Sequence, residues 1–82
     1  MQNSIIGNID MGPWTTVMGC CFVISNKEVS NVYCLTEGVQ LCDFVMHHLK
    51  ANHKVMVEGV YFDPLKQSDL NKFIVKAVTL IK

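Results

Sequence analysis

Lys54 to Pro64 read KVMVEGVYFDP, and one glycine in this stretch decides how the whole chain is read. Lys54 to Glu58 alternate as a strand does, with Val55 and Val57 on one face and Lys54, Met56 and Glu58 on the other. Gly59 interrupts, and the pattern resumes as Val60-Tyr61-Phe62. A glycine inside a strand weakens it unless the chain must bulge or coil there, as at a barrel corner. The expectation is a strand that bends at Gly59 and carries two aromatics on the arm beyond the bend.

Upstream, Ser4 to Ile9 (SIIGNI) is a short strand with Gly7 again placed mid-strand. Asp10 to Thr16 (DMGPWTT) reads as a loop because of its Gly12-Pro13 pair. Val17 to Ser25 (VMGCCFVIS) is a second strand, apolar on both faces: Cys21 and Val23 oppose Cys20, Phe22 and Ile24. Asn26-Lys27-Glu28 turns the chain, and Val29 to Thr36 returns as a third strand, completing a hairpin. From Glu37 to Asn52 the period changes. Val39, Cys42, Val45, Met46 and Leu49 recur at spacings of three and four and form one helical stripe. Thr36 is a candidate cap, Glu37 and Lys50 suit the two ends of the helix dipole, and Asn52 suits the exit. Beyond the opening stretch, Asp63 to Asp69 is a loop. Asn71 to Ile81 is a closing strand with Phe73, Val75 and Ala77 opposed to Ile74, Lys76 and Val78.

Three strands, a helix and two strands make a mainly-β chain. The arrangement is that of the five-stranded oligonucleotide/oligosaccharide-binding barrel, the OB-fold, with one α-helix between strands three and four. Gly59 and Gly7 then have a common purpose, letting strands four and one coil around a small closed barrel.

At 82 residues the chain is one domain, residues 1–82, near the lower limit for a single self-sufficient core. Half of it is hydrophobic and only 17% is charged, more apolar surface than so small a body hides, so a partner is expected: a second copy or another protein. No run of 18 apolar residues is present, and the polar start is no signal peptide. Seven acidic residues balance seven lysines, and there is no arginine. A generic basic nucleic-acid binder is thus disfavoured, although a local lysine patch can act within a neutral total. Any phosphate contact is by point charge rather than by a bidentate guanidinium fork.

Cys20, Cys21, Cys34 and Cys42 accompany no secretory signal, so reduced thiols in a cytoplasmic protein are the expectation. With His47, His48 and His53 they lack the closely spaced ligand pair of a zinc site, and no metal or other cofactor is expected. The adjacent Cys20 and Cys21 point to opposite faces of a strand and cannot pair with each other there. No nucleophile elbow, phosphate loop or catalytic carboxylate pair appears, and so small a barrel has little room for a buried pocket. An enzyme is not expected.

Residues Asn31 to Phe62 (NVYCLTEGVQLCDFVMHHLKANHKVMVEGVYF) resemble the third strand, helix and fourth strand of bacterial single-stranded DNA-binding proteins. Leu49-Lys50 matches the family's apolar-Lys step at the helix end, and Val57-Glu58-Gly59 its glycine-bearing strand. IIGNI, FVISN and KAVTLIK resemble its first, second and last strands. The resemblance implies a minimal OB-fold that binds single-stranded DNA as an accessory in DNA replication or repair. It equally accommodates a protein-interaction subunit of a polymerase, primase or helicase with weak or no DNA binding. Departures bear on both. Leu35-Thr36 stands where the family has a tryptophan before the helix, the long hairpins are short, and the family's acidic tail is not expected after the last strand.

OB-folds bind strands across strands two and three, edged by the first loop and the loop between strands four and five. On that pattern the nucleic-acid-binding candidates are Trp14 in the first loop, Phe22 and Tyr33 on the hairpin, and Tyr61 at the edge of the last loop. Lys27, Lys66 and Lys72 are candidates for phosphate. Each has a structural alternative. By alternation alone Phe22 and Phe73 suit a core, Tyr33 and Tyr61 suit either role, and the lysines suit a solvated face. Trp14 has the least reason to be core.

Overall fold

The computed structural model describes residues 3–28, 31–61 and 71–81. Its elements run β1 (Asn3–Thr16), β2 (Gly19–Ser25), β3 (Val32–Thr36), α1 (Val39–His48), β4 (Lys54–Tyr61) and β5 (Asn71–Ile81). The strands close into a barrel in the order β1-β2-β3-β5-β4, with β4 pairing back onto β1. All contacts are antiparallel except that between β3 and β5. Closure removes free sheet edges, which a domain this small could otherwise cover only with a partner. This is the OB-fold order, with its helix between β3 and β4.

Two glycines let the sheet coil shut. The β4–β5 register slips between Glu58 and Gly59, and a Cβ on Gly59 would run into the Ile74 carbonyl oxygen. The bulge anticipated from KVMVEGVYF is therefore present, and its cause is close backbone approach. At Gly7 an added Cβ would come within 2.7 Å of the Ser25 carbonyl oxygen. Here β1 passes from β4 to β2: Gly7 pairs with Val55, and Asn8 faces both Lys54 and Ser25. Just beyond, the Ile9 amide donates to the His53 carbonyl (2.9 Å) and the Asn52 amide donates to the Ile9 carbonyl (2.8 Å). These bonds tie β1 to the turn entering β4.

Alternation sorts side chains between barrel interior and exterior. Ile9, Phe22, Ile24, Val32, Val55, Val57, Phe73 and Val75 fill the interior, and the Cys34 thiol among them is pushed up to about 12 by burial. Each fully buried residue of the Val, Ile or Phe kind contributes about 1.5–3 kcal/mol through lost contact with water. The helix adds Val45, and the residue just past its end adds Leu49, to this core, with Leu41, Cys42 and Phe44 half-buried against it. The sequence stripe is thus right at Cys42, Val45 and Leu49. It is wrong at Val39 and Met46, which are exposed.

Three further expectations change. Asp10 to Thr16 is not a loop but the second half of β1, and it stays paired with β2 through register shifts between Ile9 and Met11 and between Met11 and Trp14. Irregularities of this kind accommodate Pro13, which follows a cis peptide bond and has no N–H to give a ladder. Val17 and Met18 make the β1–β2 turn instead of opening β2. The helix is shorter than Glu37 to Asn52, and Gly38 (φ 95°) precedes it without a side-chain capping bond. Thr36 is unavailable as a cap because it is fully buried in β3, where its hydroxyl donates to the Cys20 carbonyl (3.0 Å). Asn52 takes a left-handed conformation (φ 74°) in the turn after the helix, a role asparagine tolerates well. Val29, Phe62 and the Asp63–Asp69 loop lie outside the described residues.

Candidate nucleic-acid interface

Strand register, rather than sequence proximity, assembles the outer face of the hairpin. Trp14 pairs with Cys21, Cys21 with Leu35, Leu35 with Ile74, and Ile74 with Val60. These residues form one row across all five strands. The row beside it runs Met11, Val23, Tyr33 and Lys72. Trp14 and Tyr33 are diagonal neighbours across the two rows, and their rings meet edge to face with centroids 5.8 Å apart and planes at 71°. Both are half-buried, so each keeps exposed surface. Exposed Lys72 stands opposite Tyr33 in the parallel β3–β5 ladder.

An apolar groove opens alongside, lined by Met18 from the β1–β2 turn, Cys21, Tyr33, Leu35, Ile74 and the Lys72 stem among others. Hydrogen bonding with the Cys21 thiol, helped by burial, pushes the Tyr33 phenol above its ordinary value. At neutral pH the phenol is uncharged and offers no repulsion to a phosphate. The face combines two rings of fixed relative orientation, an apolar channel and one cation. That combination suits a flat, weakly polar group carrying a negative charge a few ångströms away.

The remaining candidates separate. Phe22 has no exposed surface and belongs to the core, because β2 turns its parity inward; contrary to the sequence expectation, it has no face on which a base could stack. Tyr61 ends β4 with its ring edge to face on buried Phe73 (centroids 5.1 Å, planes at 80°), leaving the tyrosine about a third exposed beside the strand that carries Lys72. Lys27 is exposed in the segment between β2 and β3, and Lys66 lies outside the described residues. Sequence reading missed Met18, Leu35 and Ile74 as members of the face. Alternation already placed Ile74 opposite Phe73, but only the parallel β3–β5 register brings it beside Leu35. His47 bonds through Nδ1 to the Asp43 carbonyl oxygen (2.8 Å), and His48 lies over Phe44. Among the described residues no group of three or more His, Cys, Asp or Glu side chains is arranged to hold a metal ion.

The barrel order, the parallel β3–β5 contact and the position of the helix define the class: an OB-fold protein with an aromatic outer face on its central hairpin. No family model and no curated protein matches the chain. Among solved structures it is similar to the mitochondrial single-stranded DNA-binding protein Rim1 of S. cerevisiae, with a TM-score of 0.79 at 15% identity, covering 100% of this chain and 95% of that one. The selenomethionine form of Rim1 gives a TM-score of 0.80 at 15% identity with the same coverage. A second crystal form gives 0.75 at 17% identity, covering 100% of this chain and 96% of that one. At such identity the likeness is one of fold.

Proposed function

We propose that this chain is a single-stranded DNA-binding OB-fold protein, a binding module rather than an enzyme, serving as an accessory in DNA replication or repair. The observation that carries the reading is the Trp14–Tyr33 ring pair on the outer hairpin face with Lys72 in register beside it. Stacking on aromatic faces tolerates any base sequence and is worth about 1–3 kcal/mol per base. A strand crossing the face stacks on Trp14 and Tyr33 and has its phosphates near Lys72 and Lys27; Tyr61, which shares the inward parity of its partner Phe73, is met only at the end of β4, beyond the outer row. Lys66 is a further candidate for phosphate. The fold shared with a single-stranded DNA-binding protein over the full chain supports this reading. Four free thiols suit a reducing compartment, the cytoplasm.

Titration of the intact protein into fluorescently labelled oligo-dT tests it. Binding at low salt that weakens as salt rises is the expected result, since phosphate neutralisation releases counterions. Absence of binding at low salt overturns it.

A second reading has its own support: an OB-fold subunit that binds a replication polymerase, primase or helicase, or a copy of itself. Met11, Val17, Met18 and Val39 are apolar and exposed, and the chain has no net charge to steer DNA. Sedimentation at rising concentration, together with co-purification from the source cell, separates the two. A monomer that binds oligo-dT without a partner excludes the second.

A further inference from the structure

Where the helix meets the barrel, three side chains outside the outer face converge. The Cys42 thiol, half-buried on the first turns of α1, lies 3.5 Å from the Thr36 hydroxyl and donates to the Thr36 carbonyl at 3.4 Å. The Thr36 hydroxyl also reaches the Cys20 carbonyl at 3.0 Å, and the Cys20 thiol points back to the Cys42 carbonyl at 3.9 Å. Thr36 thus touches both cysteines, and the Cys20 sulfur faces the backbone of Cys42. A Cβ on the preceding strand residue, Gly19, would run into the Thr36 carbonyl oxygen and sit 3.6 Å from the Cys42 sulfur, so the start of β2, the end of β3 and the helix pack closely here.

We propose that Cys42 and Cys20 are a hydroperoxide-oxidisable pair that closes to a disulfide, clamping α1 onto β2. The chemistry assigns the two sulfurs different parts. The Thr36 hydroxyl, 3.5 Å away, can turn its one proton from the Cys20 carbonyl to an ionised Cys42 sulfur; this contact holds the Cys42 thiol below its ordinary value, against the opposing effect of burial, so Cys42 is the sulfur that first becomes a thiolate. Burial and the neighbouring Cys42 push the Cys20 thiol up to about 11, so it waits as a neutral thiol. The Cys42 thiolate attacks one oxygen of the hydroperoxide. The O–O bond breaks, the leaving alkoxide or hydroxide takes up a proton, and Cys42 becomes a sulfenic acid. Cys20 sulfur then attacks Cys42 sulfur. The S–O bond breaks, hydroxide leaves with the Cys20 proton as water, and the disulfide remains. Two thiols are oxidised by one hydroperoxide, which is reduced.

The site is built for this pair and for no other. Cys21 follows Cys20 but faces the opposite side of β2, against Trp14 and Leu35. Cys34 is sealed in the core, its thiol directed at the Val32 carbonyl. Half-exposed Cys42 admits a small oxidant where the other three thiols are buried. The cross-link would sit one residue from Cys21, the strand partner of Trp14, so indole emission reports its formation.

The test is hydrogen peroxide added to the intact, reduced protein, followed by intact mass and peptide mapping. The expected product is monomeric, lighter by two hydrogens, cross-linked between Cys20 and Cys42, reversed by dithiothreitol, and higher in Tm than the reduced form. Cys42→Ser should show no internal cross-link and leave Cys20 unmodified. Oxygen adducts on Cys42 without a cross-link, a different cysteine pairing, or an internal disulfide persisting in Cys42→Ser would each overturn the proposal. The peptide map of the unmutated protein decides the matter even where that variant does not fold.

Discussion

Trp14 and Tyr33 stand 19 positions apart in the chain yet meet edge to face at 5.8 Å, because β1 and β3 flank β2 in the barrel. Each ring limits the other's freedom, so a base arriving on this face finds two surfaces already oriented. Ordering cost that a flexible loop tryptophan would incur on binding is met at folding instead.

The sole tryptophan makes this face directly observable. Oligo-dT should quench the Trp14 emission, and Trp14→Ala should weaken DNA binding by about 1–3 kcal/mol. Because Trp14 is half-buried within a strand, the same variant should also lose stability, unlike a loop substitution. A double-mutant cycle with Tyr33→Ala should return a coupling of about 0.5–1.5 kcal/mol in denaturant unfolding. Emission that stays constant on adding DNA and shifts only with a protein partner would transfer the face to the protein-binding reading.

Lys72→Gln and Phe22→Ala should separate binding from folding. Removing the exposed charge of Lys72 should reduce the slope of log affinity against log salt by about one unit while leaving Tm nearly unchanged. Truncating Phe22 should cost about 3–5 kcal/mol of stability, as for other buried phenylalanines, and affect DNA only through the folded fraction. Salt-dependent titration and chemical denaturation of the two variants, side by side, check both statements. A Phe22 variant that stays folded and loses affinity would return that ring to the interface.

Gly59→Ala should destabilise the barrel by about 1–3 kcal/mol or more, the range for forcing extra atoms into a packed interior. The added methyl has nowhere to go, since its neighbour is the Ile74 backbone rather than a movable side chain. Gly38→Ala meets open space, and its cost should come only from the positive φ at that position. Thermal unfolding of the pair distinguishes the two effects. Equal Tm losses would count against close approach as the reason for Gly59.

Alkaline pH should weaken the fold. Burial raises the Cys34 thiol from an ordinary 9.0 to about 12, so the folded chain keeps a proton that the unfolded chain gives up. The unfolded state binds fewer protons above pH 9, and stability therefore falls as pH rises from about 9 towards 12. Below 9 this group contributes no pH dependence. The limiting slope is about 1.4 kcal/mol per pH unit for one fully buried thiol. Cys34→Ala, though less stable overall from its cavity, should show a shallower alkaline decline in denaturant midpoints.

Periodicity made much of this barrel legible. The alternation of KVMVE, the parity of Phe73 against Ile74 and the change of period after Thr36 follow from local geometry, and all survive in the structure. So does the bend at Gly59, because a glycine inside a strand pattern is a local signal for close backbone approach. What periodicity could not state is the register in which the strands lie side by side. Gly12-Pro13 is a loop signal by itself, yet β2 supplies partners on both sides of it and holds Met11 and Trp14 in a ladder. Val39 and Met46 have the right helical spacing to be buried, but a helix of 10 residues resting on one end of a narrow barrel covers only part of its stripe. The outer face is the clearest case. Trp14, Tyr33 and Lys72 lie on three different strands; alone, Trp14 reads as a loop residue, Tyr33 as core or site, and Lys72 as a solvated charge. They become neighbours only through register and the parallel β3–β5 contact, which are fixed by how the whole sheet closes rather than by any residue's own preference.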